Sequence, residues 1–195
     1  MGVLQQVLFV IVLGVAAFFL RKRIVQIRSN IKLGKKPASY AIGGMKSMML
    51  VAFGQQKMFK RFIPAILHFF VYVGFLVINL EVLEFVIDGL AGTHRVFAPY
   101  LGGFYNVLMN IFEFLAVMVL VSCAIFLVRR NVIRVKRFWS SEMTAWPRLD
   151  GNLILVTEIV LMIAILKMNA ADQVLQVRDP EHYPETGPLF FSSIL

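Results

Sequence analysis

The sequence predicts an all-α integral membrane protein, a four-helix transmembrane bundle with its N-terminus outside, and three observations lead there. The first is composition. Of 195 residues, 59% are hydrophobic and only 16% charged, with a mean hydropathy of +0.77. Soluble domains are closer to half apolar and a quarter charged, and a chain this short cannot hide the excess in a core. The second is length: four apolar runs, at about 2–20, 64–87, 103–128 and 152–171, each approach the ~20 residues that cross a ~30 Å hydrocarbon layer. The third is the placement of charge. Eleven basic residues and no acid fall in 21–63, and six basic residues fall in 129–150, so cation clusters alternate with apolar runs as the positive-inside rule requires.

Each element follows from these patterns. Run 2–20 lacks a basic leader and a small-residue cleavage site, and Arg21-Lys22-Arg23 follows it directly, so it reads as an uncleaved anchor. Placing both basic loops, 21–63 and 129–151, in the cytoplasm leaves the 88–102 loop and the 172–195 tail outside. Pro64 opens the second helix, where its missing N–H costs nothing. Trp139 and Trp146 fall at headgroup depth beyond the third helix. Residues 41–59 are apolar but too short and interrupted to span, and fit a helix lying on the inner surface. The whole chain reads as a single membrane domain. The net charge of +9 belongs to the lipid-facing loops rather than to nucleic-acid binding. Cys123 is the only cysteine, which excludes a disulfide scaffold and a cluster ligated by this chain alone.

Ionisable residues at membrane depth point to function. At 100° per residue, His68, Tyr72, Phe75 and Asn79 share one face of the second helix, and Glu81, Glu84 and Asp88 lie roughly opposite. Asn106, Asn110 and Glu113 form a stripe on the third helix; Glu158 and Asn169 share a side of the fourth. Glu113 and Glu158 are candidate proton-relay acids, or else protonated groups bonded to a neighbouring helix. Glu84 and Asp88 read either way, as functional acids or as side chains snorkelling to the interface. A neutral imidazole such as His68 can be a helix contact or an axial haem ligand. Phe69, Phe70, Tyr72 and Phe75 crowd it, and Gly74 would leave room for a macrocycle. His94 lies ~39 Å further along the helix axis at 1.5 Å per residue, so it cannot share that haem. With Arg95 it is either a simple loop residue or a contact for a haem propionate or quinone carbonyl. A metal held between His94 and His182 has little in the sequence to support it.

The run FGQQKMFKRFIPAILHFFVYVGFLVINLEVLEFVIDG, with GTHRVF, RRNVIRVKRFWSSEMTAWPRLDGNLIL and MNAADQVLQ, resembles bacterial iron–sulfur oxidoreductases related to heterodisulfide reductase, whose membrane domain is similar to the nitrate reductase gamma subunit. The resemblance implies a five-helix, haem-b-binding, quinone-reactive domain in the bacterial inner membrane. It implies His68 as one axial ligand of the haem iron, and a second ligand on a fifth helix that this sequence does not contain. The [4Fe–4S] clusters would sit on a cytoplasmic iron–sulfur domain or subunit. On this view the tail, which turns apolar again over 189–195, leads into the missing span. The expected activity is electron transfer between those clusters and the quinone pool through haem b. A non-redox membrane anchor for a soluble partner is the alternative, and a small proton-coupled transporter ranks last for want of inverted repeats.

The topology is directly testable. With Cys123→Ser as background, Thr93→Cys should react with a membrane-impermeant maleimide added to intact cells, and Lys36→Cys should react only after the cells are opened. Labelling in the reverse order would invert the orientation.

Overall fold

A computed structural model describes residues 3–33, 43–54, 62–135, 139, 145–181, 183, 185–192 and 194, and all of its regular structure is helical. The helices are α1 (Val3–Leu33), α2 (Gly43–Met48) continued by a π-helical turn (Met49–Phe53), α3 (Phe62–Ala91), α4 (Ala98–Leu101), α5 (Gly103–Asn131) and α6 (Ala145–Arg178). Four of these, α1, α3, α5 and a stretch of α6, are long and apolar enough to cross a membrane. This is the architecture expected from composition.

The helices outrun the apolar segments that nucleate them. α1 continues through the basic residues 21–33, because nothing from Arg21 to Leu33 breaks a helix and Gly34 comes only after it. α6 was expected to end near 171 but runs on to Arg178. Its last turns contain no breaker before Pro180, so Asp172 and Gln176 belong to a helix rather than to the tail. α5 ends with Arg129 and Arg130 in its final turn, where cations complement the helix dipole. Part of the expected surface helix at 41–59 is described, as α2 and its π-turn; residues 41–42 and 55–59 lie outside the described residues.

The chain divides into two compact units. One comprises residues 1–62 with 86–93. In it Gln6 Nε2 donates to the Leu90 carbonyl at 2.8 Å, and the Phe9 ring lies against Gly89. No residue of α1 is buried, as suits a helix solvated by lipid. Thr93 donates to Asp88 Oδ1 at 2.7 Å beyond the end of α3.

The second unit comprises residues 63–85 with 94–195. Its core is an apolar layer of Ile78 from α3, Leu115, Ala116, Val119 and Cys123 from α5, and Met162, Ile165 and Leu166 from α6. Gly74 is buried against Val119, and a Cβ there would collide with the valine methyl. The space expected to admit a macrocycle is thus taken by a helix, the usual use of a small residue between membrane helices. At the end of the bundle near residue 131, Asn131 and Asn152 exchange side-chain hydrogen bonds at 2.8 and 3.4 Å. The Trp139 ring there carries the guanidinium groups of Arg134 and Arg148 at 5.1 and 4.8 Å, within cation–π range. Trp139 and Trp146 are both exposed.

Gly74→Val should overpack the α3–α5 contact and cost ~1–3 kcal/mol, read as a lower midpoint of thermal unfolding in detergent. Adding Val119→Ala should restore part of the loss.

Candidate functional site

Glu81, Glu84 and Asp88 keep the spacing i, i+3, i+7 on α3, and all three are buried. α6 repeats that spacing with Asn169, Asp172 and Gln176, also all buried. Between Glu81 and Glu84 on α3 and this stripe on α6 lies Arg95, only 3% exposed. The loop places it there with φ of 53°, a left-handed conformation that non-glycine residues seldom hold. Its contacts outweigh that strain.

Every face of the guanidinium is used. Nε donates to Asp172 Oδ2 at 3.2 Å, and Nη2 lies 3.1 Å from the same oxygen, at ion-pair distance. Nη2 donates to Asn169 Oδ1 at 2.8 Å, and Nη1 to the Tyr105 hydroxyl at 3.1 Å. The Met109 sulfur lies 3.3 Å from Nη1, and Glu81 Oε1 lies 4.0 Å from it. Burial works against the charge of Arg95, but Tyr105, Asp172 and Glu81 outweigh it and hold its pKa above the ordinary guanidinium value.

The partners are themselves tied together. Asn169 Nδ2 donates to Glu81 Oε1 at 3.2 Å. Tyr105 donates to Glu84 Oε2 at 2.6 Å, and Glu84 Oε1 accepts the Phe97 backbone N–H at 3.0 Å. Gln176 donates to Asp172 Oδ2 at 2.9 Å and to Thr186 Oγ1 at 3.0 Å. At the open end, His94 Nε2 lies 2.7 Å from Asp172 Oδ1. That is ion-pair distance, although the two atoms are not aligned as a hydrogen bond. The His94 side chain is 31% exposed and meets the Tyr183 ring edge-on at 4.8 Å.

Beside this network Leu80, Leu83, Phe97, Leu101, Leu108 and Phe112 line a partly open pocket of about 280 Å³, with Glu84 and Tyr105 also in its wall. Larger clefts border the tail, but they are more open and lack a buried acid.

A second polar contact lies further along α5, where the stripe Asn106, Asn110 and Glu113 receives the tail. Gly187, with φ of 86°, turns the chain against Asn106. Phe190 N–H donates to Asn110 Oδ1 at 2.9 Å, and Asn110 Nδ2 donates to the Pro188 carbonyl at 3.3 Å. Glu113, fully buried, accepts the backbone N–H groups of Phe191 and Ser192 at 2.9 and 3.4 Å, together with the Ser192 hydroxyl. Three donors on one carboxylate make Glu113 the anchor of the tail. Glu158 is partly buried on α6 and belongs to neither network.

The site residues read from sequence are therefore dispersed. His94 and Arg95 meet in the buried cluster; Glu113 lies under the tail; Gly74 packs on Val119. His68 is exposed on the flank of α3, with Tyr72 partly buried beside it and Phe69 and Phe75 exposed around it. His182 lies outside the described residues. Among the described residues no group of three or more His, Cys, Asp or Glu side chains is placed to hold a metal ion. Compared with known proteins, the chain matches no family model, and no curated protein or solved structure is significantly similar to it.

Removing the Arg95 side chain strands three buried carboxyl groups. Arg95→Ala should lower stability by ~3–5 kcal/mol, the usual cost of breaking a buried ion pair, seen as a large drop in unfolding temperature. Arg95→Lys should recover only part of it, since one ammonium cannot reproduce the planar fork on Asp172 and Asn169.

Proposed function

We propose that this chain is the membrane-embedded electron-transfer domain of an iron–sulfur oxidoreductase, passing electrons between cytoplasmic [4Fe–4S] clusters and the quinone pool through haem b. The observation that carries this reading is His68. It stands exposed on a long apolar helix, among Phe69, Tyr72 and Phe75, on the side away from the buried acids. An imidazole exposed on such a helix is free to bind a haem iron, a role neutral histidines commonly fill.

The residues present fit one axial position. His94 is engaged with Asp172 in the buried cluster, so among the described residues His68 alone would be placed to hold the haem iron. When bound, the haem supplies one-electron chemistry. His68 would hold it, with Phe69, Tyr72 and Phe75 beside it. The pocket beside Glu84 and Tyr105 is near the lower end of small-molecule pocket sizes, ~300–1,000 Å³. Its apolar wall suits the ring of a quinone entering from the lipid. On this reading His94 serves the protons of quinone chemistry and Arg95 the charge balance, rather than the haem.

A reduced-minus-oxidised visible spectrum tests the proposal, taken on the chain alone and on the chain co-expressed with a candidate fifth helix. A b-type signal that His68→Ala abolishes, and Glu158→Gln does not, is the expected result. No signal in either form would overturn it and leave a membrane anchor as the better description.

A further inference from the structure

The Arg95 cluster contains more acid than base. Glu81 and Glu84 are each 1% exposed and Asp172 is 5% exposed, yet among the described residues a single guanidinium lies among the three. Uncompensated charge at such depth is expensive. The charged and titratable groups facing Glu81 are Glu84 on its own helix, Arg95 from the loop and Glu113 from α5. Tyr105 and Asp172 stand on the other sides of Arg95. All but Arg95 are acidic, and the guanidinium makes its closest charged contact with Asp172 rather than with Glu81.

The Glu81 carboxyl is correspondingly lopsided. Oε1 accepts from Asn169 and sits at the edge of Arg95, while Oε2, fully enclosed, has no hydrogen-bond partner among the described residues. A carboxylate oxygen in that position bears the full penalty of lost hydration. A carboxylic acid does not, because the proton removes the charge.

We infer that the cluster is a proton-binding site, in which Glu81 holds a proton and exchanges it with the aqueous phase at this end of the helices through Asp172 and His94. The exit follows from exposure. Of the cluster's titratable side chains, His94 alone is appreciably exposed, at 31%, and it lies 2.7 Å from the otherwise enclosed Asp172. The other arm, from Glu84 and Tyr105, leads only to the apolar pocket. In the transfer water carries the proton past the Asn169–Arg95 bridge that joins Glu81 to Asp172; the Glu81 carboxylic acid becomes a carboxylate and the His94 imidazole becomes an imidazolium, which gives its proton to water. Arg95 remains charged throughout. When His94 is protonated it meets the charge on Asp172, and the guanidinium is left to offset Glu81. The cluster thus keeps its net charge while the proton moves. The inference goes beyond the redox reading and holds whether or not His68 carries haem.

Infrared spectroscopy of the full chain in lipid nanodiscs tests it without any cofactor. At neutral pH the protein should show a protonated-carboxyl C=O band that shifts on transfer to deuterated buffer. Glu81→Gln should remove that component, and Glu84→Gln should leave it. In His94→Phe and Asp172→Asn the band should persist but exchange at least tenfold more slowly. A band undiminished in Glu81→Gln, or exchange in both His94→Phe and Asp172→Asn at the wild-type rate, would overturn the inference. Should Glu81→Gln fail to fold, the wild type decides the first point: no protonated-carboxyl band at neutral pH overturns it, and the other two variants still decide the route.

Discussion

The guanidinium of Arg95 is the point at which three helices of the second unit are tied together. Lipid provides no hydrophobic drive for one apolar helix to leave the bilayer for another, so association depends on close packing and polar contacts. Packing is supplied by the layer around Gly74, Val119 and Met162. The polar contacts converge on one side chain. Through Arg95, α3 contributes Glu81, α5 contributes Tyr105 and Met109, and α6 contributes Asn169 and Asp172. In a medium of low dielectric each of these contacts is strong when made and costly when missing.

That constraint divides α3 lengthwise. The side bearing Glu81 and Glu84 is committed to the interior, which fixes the rotation of the helix and turns His68, Phe75 and Asn79 outward. Asn79 shows the result: its amide returns to the Phe75 carbonyl of its own helix, the common resort of a polar side chain with no neighbour in reach. The helix therefore presents two different flanks, a buried polar network on one and an exposed histidine on the other.

Much of this was legible in the sequence. Hydropathy located the four long helices, and helical geometry separated the His68 face from the Glu81 face. The stripe Asn106–Asn110–Glu113 was also visible, though not that a returning tail would cover it, because such a contact joins residues some eighty apart and no local pattern announces it. Arg95 and Asp172 were harder. Both stand just beyond apolar runs, where charge usually means water, and only the continuation of α6 past Ala171 brings Asp172 inward. The signal available was the repeated i, i+3, i+7 spacing: Asn169, Asp172 and Gln176 match Glu81, Glu84 and Asp88. At Gly74 the sequence showed only that room is made, not that Val119 is what lies there.

The separation of Arg95 from its partners along the chain has a consequence for biogenesis. Asn169 and Asp172 lie 74 and 77 residues after Arg95, so α3 and its loop leave the ribosome well before α6 exists. At a synthesis rate of ~5–20 residues per second, that interval lasts seconds. A charged side chain at the centre of a newly inserted helix costs ~2.5–3.5 kcal/mol, and Glu81 and Glu84 must cross that interval before the network is complete. They enter the bilayer as neutral acids, or wait near its surface until α6 arrives. The arrival of α6 thus releases the earlier helices from a provisional state, and insertion becomes cooperative between α3 and α6.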